Sequence, residues 1–247
     1  MVEYNRRELK YKAKAAIFTG NSHAFLASIA IFLLLYALNW LLTNLTGYAE
    51  WFSSYCKYVF SLKESAGAIT FAPYTAVPWP KVGKFAILLC AVIAILRTVL
   101  SAGYTSWCIQ AARGQEPSVK CIFDGFNHFG QVFVLCLVRA VITGVGLCIF
   151  IIPGIWLACR YRLALYVFFD EPDIGIFGAL HRSAELSRGR KMQIFILDLS
   201  FIIWYLAADL IASLLLPVLD IWVRPYIGLT FAYYYDYVLA EKNGAAQ

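Results

Sequence analysis

Charged side chains are scarce in this sequence: they make up 15% of its 247 residues, while hydrophobic residues make up 61%. A typical soluble domain carries about 25% charged residues. So few charges cannot give a chain of this size a polar surface, and a soluble fold is excluded. Aromatic residues reach 17%, which excludes a disordered chain. The composition therefore indicates a membrane protein.

Motifs for catalysis and for cofactor or metal binding are also missing. The seven cysteines contain no C-x-x-C pair, and the three histidines lie on separate segments without metal-ligand spacing. The sequence has no Walker A loop, no G-x-S-x-G and no Gly-rich dinucleotide motif. We therefore predict no catalytic residue, no cofactor and no metal site. An ATPase that acts with this protein would be a separate subunit.

Six apolar stretches approach the length of about 20 residues that a helix needs to cross a bilayer. They are residues 23–45, 82–104, 130–152, 155–169, 192–216 and 221–239. Pro153 and Gly154 are expected to break the chain after the third stretch. The fourth is short and contains two arginines, so it either crosses with a tilt or forms with the third a hairpin that goes only part-way. We predict an all-α bundle of six transmembrane helices.

Lysine and arginine are distributed unevenly between the two sides of this predicted bundle. Twelve lie in the N-terminal segment, in residues 105–129, in the segment before the fifth stretch and at the C-terminus, against four on the other side. Loops rich in Lys and Arg stay in the cytoplasm, so both termini are predicted to be cytoplasmic and the protein to lie in the cell membrane. These cations are suited to membrane lipids, and we expect no nucleic-acid partner.

The predicted organisation has three parts: a cytoplasmic amphipathic segment 1–22, a transmembrane domain 23–240 and a cytoplasmic tail 241–247. Segment 1–22 either lies as a helix on the inner leaflet or is a solvated basic flank. The transmembrane domain includes an external loop 46–81, which is either a linker with aromatic interface anchors or a small lid. It also includes a cytoplasmic helix within 173–190, which Asp173 can cap and Gly189 can end.

Several charged residues lie inside predicted spans, where each costs about 2.5–3.5 kcal/mol on insertion scales and usually faces the bundle interior. The candidates for a buried polar core are Arg97, Arg139, Arg160, Asp198, Tyr205, Asp209 and Arg224. Three interpretations are open: structural ion pairs or snorkelling arginines, a cavity with surplus positive charge for a phosphate or carboxylate, and a proton relay. We predict that Asp198 contacts an arginine of the second or third stretch.

A sequence pattern runs through the second half of the chain. It comprises I-P-G-I at 152–155, A-L-H-R-S-A-E-L-S-R-G at 179–189, L-D-L-S-F at 197–201 and W-x-x-P-Y at 222–226. Over about residues 85–240 the chain resembles a bacterial multi-pass membrane family, domain of unknown function 975, which is common in Gram-positive bacteria. The resemblance implies an integral plasma-membrane protein and no established activity.

These observations favour a non-enzymatic membrane protein. It would be a transporter-like or accessory component that handles a lipid, a peptide or a small anion, with another membrane protein or an ATPase subunit as a possible partner. One alternative is an immunity or stress-protection module, for which the external loop would matter most. The other is an intramembrane enzyme that modifies lipids, for which Asp198 is the candidate general base.

Overall fold

The computed structural model of the protein describes residues 5–18, 22–66, 78, 83–206 and 220–244, and this part of the chain is helical with no strand. Short 3-10 turns occur at Val119–Phe123 and Pro172–Ile174. The prediction of an all-α fold is confirmed for these residues. The helices are α1 (Arg6–Phe18), α2 (Ser22–Thr46), α3 (Tyr48–Ala66), α4 (Lys84–Ala112), α5 (Asp124–Asn127), α6 (Phe129–Ile149), α7 (Ile151–Arg160), α8 (Ala164–Asp170), α9 (Gly175–Leu186), α10 (Lys191–Leu199) and α11 (Asp220–Gly244).

Four segments of the described chain are long and apolar enough to cross a membrane: Ile29–Thr46, Lys84–Ala112, Phe129–Ile149 and Ile151–Asp170. They correspond to the first four predicted spans and indicate a membrane-embedded protein. In the fifth predicted span, α10 ends at Leu199 and helix resumes over residues 202–206, while residues 207–216 lie outside the described part. The sixth corresponds to α11, which is not among the four segments. The count of six spans stays a prediction.

Helix α11 forms much of the core of the second half of the chain. Its buried side chains are Val223, Tyr226, Ile227, Leu229, Phe231, Ala232, Tyr234, Tyr235 and Val238. Phe201 packs edge-on against Tyr226 at 5.2 Å between ring centroids, and Trp204 lies 5.0 Å from Trp222. Because these rings contact other protein side chains, the helix is stabilised by aromatic packing and does not need the aliphatic composition of a lipid-facing span.

The described chain divides into two compact units, one formed by Leu33–Arg97 and the other by Met1–Phe32 with Thr98–Gln247. Within Leu33–Arg97, a glycine with positive φ, Gly47, links α2 to α3. The aromatic residues of α3 stack along the helix: Trp51 lies 5.6 Å from Tyr55, and Trp51 is buried. The first half of the predicted external loop is therefore an aromatic helix. Residues 67–77 and 79–81 of that loop lie outside the described part.

Helix α1 has an amphipathic sequence, and its apolar face packs against α11. Leu9, Ala13 and Ile17, spaced four residues apart on one face, are buried. Lys10 Nζ donates a hydrogen bond to the carbonyl of Ser200 at 3.4 Å and lies 4.2 Å from the Phe201 ring centroid. Burial, and then the neighbouring charges of Arg6 and Lys14, lower the pKa of Lys10. The apolar face is thus covered by protein, which neither interpretation of segment 1–22 anticipated.

The turn between α6 and α7 differs from the predicted break at Pro153 and Gly154. The helix breaks at Phe150, whose backbone is extended with φ −152°, and α7 begins at Ile151. Pro153 is accommodated in the first turn of α7, where a missing N–H costs no helical hydrogen bond. Gly154 then lies against α6, so the glycine serves close packing between the two helices.

The predicted helix within 173–190 is present as α9, with different ends. Asp173 lies in the preceding 3-10 turn, and the helix begins at Gly175 without a side-chain cap. It ends at Leu186. Gly189 has φ +77° in the turn that leads to α10, so this glycine fits its predicted role near a helix end.

Candidate functional site

Arg139 lies at the middle of α6 and lines an open groove of about 460 Å³. The groove lining includes the polar side chains of Ser101, Cys136 and Thr143. Apolar side chains from α6, α7 and α8 complete it, namely Ala140, Leu147, Ala158 and Leu165. Ser101 of α4 therefore lines the groove together with Cys136, Arg139 and Thr143 of α6, and the other lining side chains are apolar.

The guanidinium of Arg139 makes no ion pair and no hydrogen bond with any residue that the structure describes. Its surroundings are electrostatically mixed, because Arg162, Tyr166 and Asp198 all lie within range of its charge. A buried cation normally has a carboxylate or several carbonyl acceptors around it. Among the described residues, Arg139 is therefore a half-buried cation without an ion-pair partner.

Asp198 of α10 forms an ion pair with Arg162, which lies in the turn between α7 and α8. Arg162 Nη2 is 3.2 Å and Nε is 3.3 Å from the same oxygen, Oδ1. The guanidinium carbon lies 4.1 Å from the ring centroid of Phe231, a cation–π contact. The charge of Arg162 also acts on Tyr205. Asp198 is thus paired with Arg162 and acts on Arg139 only at longer range.

The predicted partner of Asp198 is wrong. An arginine of the second or third apolar stretch, Arg97 or Arg139, was expected, whereas the structure pairs Asp198 with Arg162 of the fourth. The break in the helix over residues 161–163 explains the difference, because it turns the side chain of Arg162 toward α10 and α11. Helical spacing alone, which assumes an unbroken helix, cannot reveal such a turn.

The remaining core candidates have separate environments. Arg97 donates a hydrogen bond to Asn39 Oδ1 at 3.0 Å within the unit Leu33–Arg97. Arg160 is exposed and stacks on Tyr161, with 5.8 Å from its guanidinium carbon to the ring centroid. Arg224 is half-buried on α11 and has an interaction partner, and Tyr205 is 47% exposed. Asp209 lies outside the described residues.

A second polar cluster joins the ends of α4 and α8 to the C-terminal half of α11. Arg113 Nη1 lies 2.5 Å from Asp170 Oδ1, and Arg113 Nη2 lies 3.0 Å from Asp236 Oδ1. The hydroxyl of Tyr235 donates to Asp170 Oδ2 at 3.0 Å. Hydrogen bonding to Asp170, and secondarily to Asp236, raises the pKa of Arg113 above its usual value. No local sequence pattern indicates this cluster, because its members come from different parts of the chain.

Comparison with known families places these features in context. Residues 137–242 match the model of a family described as protein of unknown function (DUF975). The predicted resemblance to DUF975 is confirmed. The DUF975 match covers most of α6 and all of α7 to α10, so it includes Arg139, Arg162 and Asp198. It starts later than the predicted residue 85.

The helices α1 to α5 and the unit Leu33–Arg97 lie outside the DUF975 match. The comparisons with curated proteins and with solved structures gave no match. The candidate site therefore rests on the geometry of this chain.

Proposed function

We propose that this protein is a non-enzymatic, transporter-like component of the plasma membrane that binds the anionic group of an amphiphile in the groove around Arg139. The observation that carries this proposal is the guanidinium of Arg139, which lines the groove without an acidic partner among the described residues. The proposal combines the membrane character of the chain with the interpretation of its polar core as a positively charged cavity for a phosphate or carboxylate.

The first argument is electrostatic. Arg139 sits ten residues from the start of a 21-residue apolar helix, where an isolated arginine costs about 2.5–3.5 kcal/mol on insertion scales. Arg162 adds a second positive charge nearby, and Asp198 offsets one charge of the two. A monoanionic ligand would offset the other, so binding would relieve a cost that the free protein carries.

The second argument is the shape and lining of the groove. Its volume of about 460 Å³ lies within the range of about 300–1,000 Å³ that is typical of small-molecule sites. Leu147, Ala158 and Leu165 offer an apolar surface for an alkyl chain, while Ser101 and Thr143 can donate hydrogen bonds beside the guanidinium. The described lining contains no carboxylate and no histidine, a composition suited to binding rather than to acid–base chemistry.

The third argument concerns membrane orientation. Arg190 pairs with Glu241 at 2.9 Å, and Glu185 pairs with Lys242 at 3.2 Å. These contacts bring together the end of α9 and the C-terminal end of α11, both of which the charge distribution predicts to be cytoplasmic. Their proximity supports placing these two segments on the same side of the membrane.

A binding experiment with three matched amphiphiles tests this proposal. The purified protein is placed in phosphatidylcholine nanodiscs, and its thermal stability is measured with dodecanoic acid, dodecyl phosphate and dodecanol. A ligand that binds only the folded state raises the unfolding temperature. We expect stabilisation by the carboxylate, by the phosphate or by both, and none by the alcohol. The affinity should fall about tenfold or more in Arg139→Gln, because hydrogen bonds to charged groups contribute about 1.5–3 kcal/mol.

The stability of Arg139→Gln without ligand distinguishes a binding role of Arg139 from a structural one. A ligand site gives up stability for function, so this variant without ligand should be as stable as the wild type or more stable. Arg160→Gln, which removes an exposed arginine outside the groove lining, is the matched control and should bind normally. Equal stabilisation by dodecanol, or unchanged binding by Arg139→Gln, would overturn the proposal.

A further inference from the structure

A second and smaller pocket lies between α7 and α10. Its apolar lining consists of Ile152, Ile155, Trp156, Met192 and Phe195, and its volume is about 170 Å³. This volume is below the range of about 300–1,000 Å³ for sites that enclose a whole small ligand. The pocket therefore suits one stretch of a chain whose remainder stays outside. It shares no lining residue with the groove around Arg139.

One cation, Lys191, belongs to the lining of this pocket. Its ammonium lies 4.8 Å from the ring centroid of Trp156, which holds the charge against the pocket wall. Lys191 forms no ion pair with an acidic residue in the described part of the chain. An anion that approached the pocket would therefore meet a positioned and uncompensated positive charge.

The turn that carries Lys191 is fixed to α7. Ser187 Oγ donates to the carbonyl oxygen of Arg160 at 3.1 Å and contacts that of Cys159 at 3.4 Å. Of the other cations in this turn, Arg190 is engaged by Glu241, whereas Arg188 is exposed and has no partner among the described residues. The charge of Lys191 thus remains available in the lining of the pocket, and Arg188 lies three residues before it in the sequence.

We propose that this pocket binds an anionic phospholipid, with part of one acyl chain against Trp156 and Phe195 and with the phosphate near Lys191 and Arg188. The apolar lining matches an acyl chain, and the uncompensated cations match an anionic headgroup. An anionic surface attracts each nearby lysine or arginine by about 1 kcal/mol. This site is independent of the function proposed for the groove around Arg139.

Quenching of tryptophan fluorescence by brominated lipids tests this proposal. The full-length protein is placed in vesicles of dioleoylphosphatidylcholine that contain increasing fractions of either brominated phosphatidylglycerol or brominated phosphatidylcholine. The contribution of Trp156 is the difference between the wild type and Trp156→Phe. We expect phosphatidylglycerol to reach half-maximal quenching at an about fivefold lower fraction, the effect of one lysine near an anionic surface. Equal quenching by the two lipids would overturn the proposal.

Charge variants identify the site of this preference. Lys191→Gln should remove most of it, Lys191→Arg should keep it, and Lys120→Gln, which changes an exposed lysine outside the pocket lining, should have no effect. If Lys191→Gln does not fold, Arg188→Gln replaces it, because that side chain is exposed and should be replaceable without loss of folding. If Lys191→Gln, or the variant that replaces it, keeps the full preference for phosphatidylglycerol, the pocket is not the site. The same conclusion follows if only Arg139→Gln loses that preference.

Discussion

Gly154 of α7 packs directly against Leu147 of α6: a Cβ atom on Gly154 would lie 2.6 Å from the Cα atom of Leu147. Across the same contact, a Cβ atom on Gly146 would lie 3.1 Å from the Cα atom of Gly154. At Gly154 a backbone atom sets the limit, and it cannot move aside as a side-chain tip can. At Gly146 the closest atom is Cδ1 of Leu157, at 2.7 Å, with the backbone of Gly154 just behind it. The α6–α7 hairpin thus depends on the absence of side chains at these two positions.

Gly154→Ala should destabilise the protein by about 1–3 kcal/mol, the usual cost of overpacking a close contact. The measurement is the free energy of unfolding in detergent micelles. Gly130→Ala is the matched control, since nothing lies within 4 Å of a Cβ atom at that position of α6. The control should be neutral or slightly stabilising, because alanine favours a helix over glycine. A loss of stability in the control equal to that of Gly154→Ala would contradict the packing argument.

Arg113 is predicted to hold the ends of α4 and α8 against α11. Arg113→Ala leaves Asp170 and Asp236 facing each other without their shared cation, so the protein should lose stability. Breaking a fully buried pair costs about 3–5 kcal/mol, and water screens this cluster in part, so we expect about 1–2 kcal/mol. Thermal unfolding measures the loss. Lys120→Ala serves as the control, and a loss of stability as large in that variant would contradict the assignment.

The two polar clusters show what the sequence could and could not predict. The apolar runs predicted the four candidate spans because helix length and hydropathy are local properties. The cluster around Arg113 joins residues that are 57 and 123 positions apart, and no local pattern encodes such a pairing. The prediction of the partner of Asp198 is wrong for a related reason, since the break in the helix at residues 161–163 turns Arg162 toward α10. Arg139 can be recognised as a candidate from the sequence, but only the structure shows that it has no ion-pair partner among the described residues.

Stability should fall at acidic pH through the pair Arg190–Glu241. The hydrogen bond from Arg190 lowers the pKa of Glu241. The unfolded chain, with a glutamate pKa of about 4.3, therefore binds this proton more readily than the folded protein. The stabilisation is complete above that value and is lost as the pH falls through the lower folded pKa. The unfolding temperature of Glu241→Gln should be below that of the wild type at pH 7, and the two should converge toward pH 3.

The control for this pH dependence is Glu171→Gln. Glu171 has an exposed side chain and no ion pair with a described residue, so its replacement should leave the curve of unfolding temperature against pH close to that of the wild type. A difference between the wild type and Glu241→Gln that stays constant from pH 7 to pH 3 would show that the stabilisation does not arise from the charge of Glu241.

The pair Arg162–Asp198 leads to the last prediction. Asp198→Ala removes the carboxylate from a guanidinium that is 23% exposed and leaves it beside Arg139, another positive charge. We expect a loss of about 3 kcal/mol, the lower end of the range for a broken buried pair. The double variant Asp198→Ala with Arg162→Met should regain much of this loss, because methionine can pack against Phe231 without a charge. Chemical unfolding of the single and double variants in micelles gives the coupling energy, and strictly additive losses would show that the contact contributes no energy.

The pair also predicts an effect on the groove, since freeing Arg162 adds positive charge near Arg139. Asp198→Ala should therefore bind dodecyl phosphate at least as tightly as the wild type, although the variant is less stable.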